Sequence, residues 1–247
     1  MGLENLTQAD VLFGSLSLIL VAVSTIVGIR IISRYFEYKE QTLLTVGLTW
    51  VFVTSAWWVS AFQFVFIALF NYKFTPYVYL LIENAFTPFA IVFWIYSFSA
   101  LMRLKSQKVI VAIYIIICVI FEIVLFTFLS IDTELVGTGI EEGIFTSRLT
   151  DLFVGFQIFA ILSIVITGII FSRKSLQSEK TEIKWKGVFL LIAFLSIAIG
   201  AALEAIFILG PLELILVRAL LISGSIEFYF GFFLPKPLAK ILIKQQD

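Results

Sequence analysis

Two ionisable residues near the end of the chain stand inside long apolar runs, where a charge is costly. Arg218 lies in the run that begins at Pro211, and Glu204 lies in the run before it. An arginine at the centre of a membrane helix costs about 2.5–3.5 kcal/mol on insertion scales, so it is expected to face a partner rather than lipid. The tight Gly210-Pro211 turn would make the two helices antiparallel neighbours. The sequence therefore predicts a buried Glu204–Arg218 ion pair.

Further polar residues fall at a similar depth in other apolar runs. With the rise of an α-helix, Glu83 and Glu122 each lie roughly 12 Å from the same side of the bilayer, and either is an expected second partner of Arg218. Because such groups are unfavourable against lipid, we expect them to point inward at one another. The predicted ligand-binding layer, with two tryptophans as aromatic walls, consists of Arg218, Glu204, Glu122, Glu83, Gln63, Gln157, Trp57 and Trp58.

The charges of this layer do not balance, because three carboxyls surround one cation. One or two of the carboxyls are therefore expected to be protonated, or a bound cation joins them. The layer could be a hydrogen-bond network that fixes helix order, a ligand pocket open to the outside, or part of a proton or ion path. In the last case Glu227 would be a second station; otherwise we expect it to bond to hydroxyls or to a lysine.

A proline close to Glu83 is expected to shape this region. Pro88 follows in the stretch ENAFTPF, inside the same apolar run. A proline within a helix leaves the carbonyl four residues earlier, here that of Asn84, without its usual donor and can kink the helix. Such a kink is a common way to open space beside a polar group, although many kinks have no further role.

The composition argues against several classes of function. The chain has no histidine and a single cysteine, Cys118, so it lacks the usual metal ligands and cannot form an internal disulfide bond. We find no nucleophile with a base beside it, so we expect no catalytic residue, no metal site, no cofactor and no enzyme activity. The formal net charge of +0 gives no reason to expect a nucleic-acid partner.

Seven segments are long and apolar enough to cross a lipid bilayer. They are Ala9–Ile32, Thr42–Phe70, Thr75–Met102, Val109–Ser130, Leu149–Ser172, Gly187–Leu209 and Pro211–Leu234. Most basic residues follow the first, third, fifth and seventh segments, which places the N-terminus outside and the C-terminus in the cytoplasm. The predicted fold is an all-α membrane protein, a single seven-transmembrane helix bundle over residues 1–247 that ends in a basic cytoplasmic tail, 235–247.

The basic loops and the tail are expected to lie against anionic lipids of the inner leaflet. In the tail, Leu238, Ile241 and Leu242 would share one face of a short helix, with lysines around them. A docking site for a cytoplasmic partner is the alternative. The connection between the fourth and fifth spans, IDTELVGTGIEEGIFTSR, is acidic and contains glycine, so we expect a solvated loop.

Two stretches resemble the N-terminal seven-transmembrane sensor region of microbial histidine kinases. That family often carries a Trp followed by small and aromatic residues in its second helix, and a proline before an aromatic-rich end in its third. The similar stretches here are AWWVSAFQF, with Trp57, Trp58, Ala61 and Phe62, and FTPFAIVFWIYSFSAL, with Pro88, Phe93, Trp94 and Tyr96. The resemblance implies a sensor in the cell membrane of a microbe. It also implies a separate signalling partner, because no output domain follows the seventh helix in this sequence.

These observations favour a receptor-like sensor module without catalysis of its own. It would bind a small ligand or sense pH in the polar layer and signal through a separate cytoplasmic partner. A small transporter or proton-coupled permease is the alternative, with the carboxyls as stations along its path. A structural membrane subunit is a second alternative.

Overall fold

A computed structural model describes residues 3–139, 144–206 and 209–244, and it confirms the predicted all-α seven-helix bundle. Seven helical segments are long and apolar enough to cross a membrane. The α-helices are α1 (Gln8–Tyr38), α2 (Gln41–Val53), α3 (Trp58–Phe70), α4 (Pro76–Asn84), α5 (Thr87–Leu101), α6 (Gln107–Ile131), α7 (Asp151–Leu176), α8 (Thr181–Ile206), α9 (Pro211–Phe232) and α10 (Lys236–Lys244). A short hairpin of β1 (Gly137–Thr138) and β2 (Arg148–Leu149) joins α6 to α7.

Five spans are single helices and two are interrupted. The first, fourth, fifth, sixth and seventh spans are α1, α6, α7, α8 and α9. The second span consists of α2, a 3-10 turn (Ser55–Trp57) and α3, and the third consists of α4 and α5. We call the side of the bundle where the chain begins the N-terminal side, and the opposite side the C-terminal side.

The helices extend beyond several of the predicted spans on the C-terminal side. The helix of the first span continues past Ile32 to Tyr38, and that of the sixth begins at Thr181 rather than Gly187. Backbone hydrogen bonding does not stop where the apolar run ends, so a helix can continue with charged residues into water. Residues 207–208 of the predicted sixth span and 245–247 of the predicted tail lie outside the described residues.

Six of the spans form a closed ring. Around it, α1 packs on the second span, the second on the third, the third on α7, and α7 on α8, while α9 lies between α8 and α1. The fourth span, α6, packs against α4 and α5 on the outside of this ring, and its apolar stretch is the least buried of the seven. The interior of the bundle is therefore shared by six spans, and α6 is peripheral.

The two interruptions lie next to each other, one midway along the second span and the other in the third span, nearer the N-terminal side. In the third span the helix ends at Asn84 and restarts at Thr87, so Pro88 becomes the second residue of a new helix. At this proline the helix is thus interrupted for two residues, Ala85 and Phe86. The ring of Phe86 at the break packs 5.1 Å from Trp58 at the start of α3, which holds the two interruptions together.

The half of the bundle nearer the C-terminal side is tightly packed. Trp50 and Phe228 stack with their ring centroids 3.7 Å apart, and both are buried. The helices α1 and α2 approach closely, since a Cβ on Gly28 would lie 2.8 Å from the carbonyl oxygen of Gly47. Small residues at such a crossing let the backbones touch, which is typical of helix packing in membranes.

Candidate functional site

The predicted ion pair between the sixth and seventh spans is present. Nη1 of Arg218 lies 3.1 Å from Oε1 of Glu204. Arg218 on α9 is completely buried, whereas the Glu204 side chain on α8 keeps 18% of its surface exposed. Gly210 precedes the first turn of α9, and α8 and α9 pack side by side, as the sequence predicts.

Aromatic rings from two other spans enclose this pair. The guanidinium carbon of Arg218 lies 5.2 Å from the ring centroid of Phe13 and 5.6 Å from that of Trp57, within range for cation–π attraction. Trp57 also donates a hydrogen bond from Nε1 to Oε2 of Glu204 at 2.6 Å. The pair therefore joins the first, second, sixth and seventh spans.

The guanidinium of Arg218 is incompletely satisfied. Among the described residues, no acceptor is aligned for a hydrogen bond with its Nε, Nη1 or Nη2, because the 3.1 Å approach to Glu204 has ion-pair distance but not hydrogen-bond direction. An arginine carries five N–H donors, and buried donors without acceptors are costly. A modest change of geometry at Glu204 would thus change the energy of Arg218 substantially.

A cavity of about 650 Å³ adjoins the pair on the N-terminal side of the ring. Side chains from five spans line it, including Trp57 and Glu204 from the ion-pair cluster and the neighbouring Phe13. Its walls are otherwise largely apolar, with a few polar groups such as Glu83 and Gln157. Mostly apolar walls with a few convergent polar groups are typical of small-molecule sites.

Glu83 and Gln157 contribute to the cavity in different ways. Both carboxylate oxygens of Glu83 accept from the hydroxyl of Ser147, at 2.8 and 2.7 Å. Gln157 on α7 bridges the break in the third span: its Nε2 donates to Oδ1 of Asn84, and its Oε1 accepts from Thr87, both at 3.3 Å. Glu83 is thus open to a further partner, while Gln157 also stabilises the break.

A segment of the connection between the fourth and fifth spans, residues 144–149, covers the cavity; we call it the plug. Phe145 is buried and stacks on Phe13 with ring centroids 6.0 Å apart. The amide of Gln63 donates to the carbonyl of Ile144, and its Oε1 accepts from the backbone of Phe74 at 3.0 Å. The expectation of a solvated loop is therefore wrong for the plug, because its aromatic ring and polar groups find partners inside the bundle.

The structure does not bring together the whole predicted layer. Gln63 is used to hold the plug, and Trp58 packs with Phe52, Phe62 and Phe86 away from the ion pair. Glu122 lies in a separate groove of about 330 Å³ beside Pro88 and Cys118. It was expected to point inward, but α6 lies outside the ring, and depth along a helix does not determine which way a side chain faces. Neither Glu122 nor Glu83 is the second partner of Arg218.

Other residues of the site were missed by the sequence reasoning. Phe13, Phe145 and Ser147 carry no signal of their own, because an isolated phenylalanine in a span and a serine in a loop are ordinary. Their roles depend on contacts with residues far away in the chain. Glu227, in the other half of the bundle, accepts from the hydroxyl of Ser196 at 3.2 Å, which agrees with the simpler expectation for it.

No protein-family model matches the chain, and no curated protein shows significant similarity to its sequence. Within the described part of the chain, no group of three or more His, Cys, Asp or Glu side chains could hold a metal ion. The cavity and the charged pair at its wall are consequently the features from which a function can be inferred.

Proposed function

We propose that the protein is a receptor-like membrane sensor that binds a small ligand in the central cavity and transmits binding through the seventh span. One observation carries the proposal: Trp57 and Glu204 line the cavity and also contact Arg218, which belongs to the seventh span. A ligand at this wall touches the same side chains that hold the buried cation in place.

The ion pair is well suited to convert occupancy into movement. A ligand that accepts the Trp57 N–H, or that pulls on the Glu204 carboxylate, changes the support of a guanidinium that already lacks aligned acceptors. Binding shifts a conformational equilibrium only through such differential contacts. The carboxyl at the cavity wall could also take up a proton, so a pH change would act on the same pair.

The signal would leave on the C-terminal side. There α9 leads into the short helix α10, in which Lys236 and Lys240 are exposed beside Ile241, itself 61% exposed. An amphipathic basic helix suits the anionic surface of an inner leaflet. We infer that this side faces the cytoplasm, as the distribution of basic residues favours, and that a separate cytoplasmic partner reads the position of α10.

A small transporter is the second candidate, and the interrupted helices favour it. Transporters often place their substrate beside discontinuous helices, whose free backbone groups contact the substrate. Here the breaks near Trp57 and Thr87 both border the cavity. Flux into proteoliposomes separates the two functions, because a sensor binds its ligand without moving it across the membrane.

The sensor proposal is tested by melting the purified protein in nanodiscs with a panel of small amines, acids and lipids across pH. The comparison protein is the double variant Glu204→Gln/Arg218→Gln, which removes both charges together. We expect a compound or a pH step to raise the melting temperature of the wild type, with a smaller effect on the double variant. A panel that shifts neither protein contradicts the proposal.

A further inference from the structure

One carboxylate at the wall of the cavity has no ion-pair partner among the described residues. Glu204 is paired with Arg218, but Glu83 takes part in none of the ion pairs among the described residues. Arg148 also lines the cavity, yet its side chain is exposed at the rim. A carboxylate withdrawn from water requires a cation or a proton, since leaving it charged and alone is costly.

The geometry around Glu83 leaves room for a cation. The only hydrogen bonds that its two oxygens accept from described side chains come from one hydroxyl, that of Ser147, although a carboxylate offers about four acceptor positions. Glu83 borders the cavity, so the remaining positions are reachable from inside it. Because Ser147 belongs to the plug, the carboxylate of Glu83 lies where the plug meets the helix bundle.

The rest of the cavity suits an apolar body attached to such a cation. Tyr79, which is buried, lies one helical turn before Glu83, and Phe145 and Trp57 contribute further rings. Aliphatic side chains of α7, including Ile161 and Ile164, also line the cavity. Aromatic faces attract cations, and apolar walls favour burial of hydrocarbon surface.

We propose that the cavity takes a lipophilic amine, with its ammonium group bound by Glu83 and Ser147 and its apolar body against the rings and the α7 wall. This assignment rests on the proposed function and names the ligand class for the same cavity. An anionic ligand is disfavoured, because Arg218, the one buried cation among the described residues, already faces Glu204 and is not among the residues that line the cavity.

Three probes of one shape test the ligand class: 1-adamantanamine, 1-adamantanol and adamantane-1-carboxylate. Their binding to the full-length protein in nanodiscs is measured by titration calorimetry at neutral pH, with empty nanodiscs as the reference for partition into lipid. We expect the amine to bind at least about tenfold more tightly than the alcohol, since a charge-assisted hydrogen bond contributes more than a neutral one. The carboxylate should bind most weakly.

Two matched substitutions locate the charge that is recognised. Glu83→Gln keeps the side-chain shape and an acceptor for Ser147, and it should weaken amine binding about 10- to 100-fold. Glu122→Gln makes the same chemical change in the separate groove and should leave amine binding unchanged. A Glu83→Asp variant, which retains the carboxylate, should keep more affinity than Glu83→Gln.

The outcomes separate this inference from the proposed function. If the alcohol binds as tightly as the amine, or if Glu83→Gln binds the amine normally, the amine assignment is overturned while the cavity remains a ligand site. If adamantane-1-carboxylate binds most tightly of the three probes, the amine assignment is likewise overturned while the cavity remains a ligand site. If no probe binds the wild type and the wider panel of small molecules shifts no melting temperature, both the amine assignment and the sensor proposal fail.

Discussion

The half of the bundle nearer the C-terminal side and the half nearer the N-terminal side differ in how their buried polar side chains are paired. In the half nearer the C-terminal side, hydroxyls pair directly, as between Ser24 and Ser225 at 2.8 Å, and large rings such as Trp50 and Phe228 fill the space between helices. In the other half, a cavity of about 650 Å³ lies beside the two interrupted spans, and a buried arginine has incomplete support.

We infer from this difference that one half of the bundle is rigid and that the other half can change conformation. A closely packed half resists deformation, because interiors at native density tolerate little change of volume. A half with a cavity and an undersupported charge leaves side chains room to rearrange, which a switching element requires. The seventh span runs through both halves, from Arg218 beside the cavity to Phe228 in the packed region. We therefore expect substitutions in the two halves to have different consequences.

The largest effect is expected from removing the buried cation. Arg218→Gln leaves the largely buried carboxylate of Glu204 without its partner, and breaking one side of a buried pair typically costs about 3–5 kcal/mol. The double variant Glu204→Gln/Arg218→Gln should recover most of that loss, since no lone charge remains. The stabilities of the single and double variants are measured by unfolding them in nanodiscs, with circular dichroism as the signal. Equal stability of the single and double variants would show that the charges are not coupled.

A matched pair of alanines on α8 compares the two halves directly. Ala193 is fully buried among the packed helices, and its carbonyl oxygen would lie 3.5 Å from a Cβ on Gly224. Ala201 lines the cavity two helical turns away. Overpacking typically costs about 1–3 kcal/mol, so Ala193→Phe should be destabilising, whereas Ala201→Phe should be nearly neutral and should block ligand binding. Similar melting temperatures for the two variants would contradict the contrast between the halves.

Loosening the plug should have a smaller and local effect. Gln63→Ala removes one hydrogen bond to Ile144 and another to the backbone of Phe74. We expect a loss of about 1 kcal/mol for each bond, with faster hydrogen exchange confined to the plug and the 71–75 connection. Gln177→Ala, an exposed position on the C-terminal side, is the control. Uniformly faster exchange throughout the bundle would mean that the plug is part of the core.

The smallest effect is expected at the outside of the ring. Glu122 lies on the peripheral α6, and one of its carboxylate oxygens is buried without a hydrogen bond from any described residue. Glu122→Gln should therefore change the melting temperature little, with a stability change within about 0.5 kcal/mol. A large loss of stability would show that this carboxylate has a structural partner after all.

The helical bundle and the central ion pair could be predicted from the sequence because their signals are local. Apolar runs give the spans, and the short turn before Pro211 gives the antiparallel pairing of Glu204 with Arg218. The direction in which a side chain faces could not be predicted, because it depends on the order of helices around the ring. Glu122 and Glu83 fall at the same depth, yet one faces an outer groove and the other the cavity.

The plug shows the other reason that prediction fails. Ser147 and Phe145 find partners at Glu83 and Phe13, 64 and more residues away in the chain. Such contacts form only when the connection folds back over the bundle. An acidic, glycine-containing stretch gives no local sign of that arrangement, so composition favoured a solvated loop.

The central claim is that occupancy of the cavity acts on the seventh span through the Glu204–Arg218 pair. It is tested most directly by an environment-sensitive fluorophore attached at Lys240→Cys on α10, in a Cys118→Ala background that leaves one thiol. The compound that most stabilises the wild type is titrated into nanodiscs containing this protein and its Glu204→Gln/Arg218→Gln counterpart. We expect a saturable emission change that follows binding in the first protein and is absent from the second at compound concentrations that saturate both proteins. An identical emission change in the two proteins would contradict the claim. Binding to the protein with the intact ion pair without any emission change at α10 would contradict it as well.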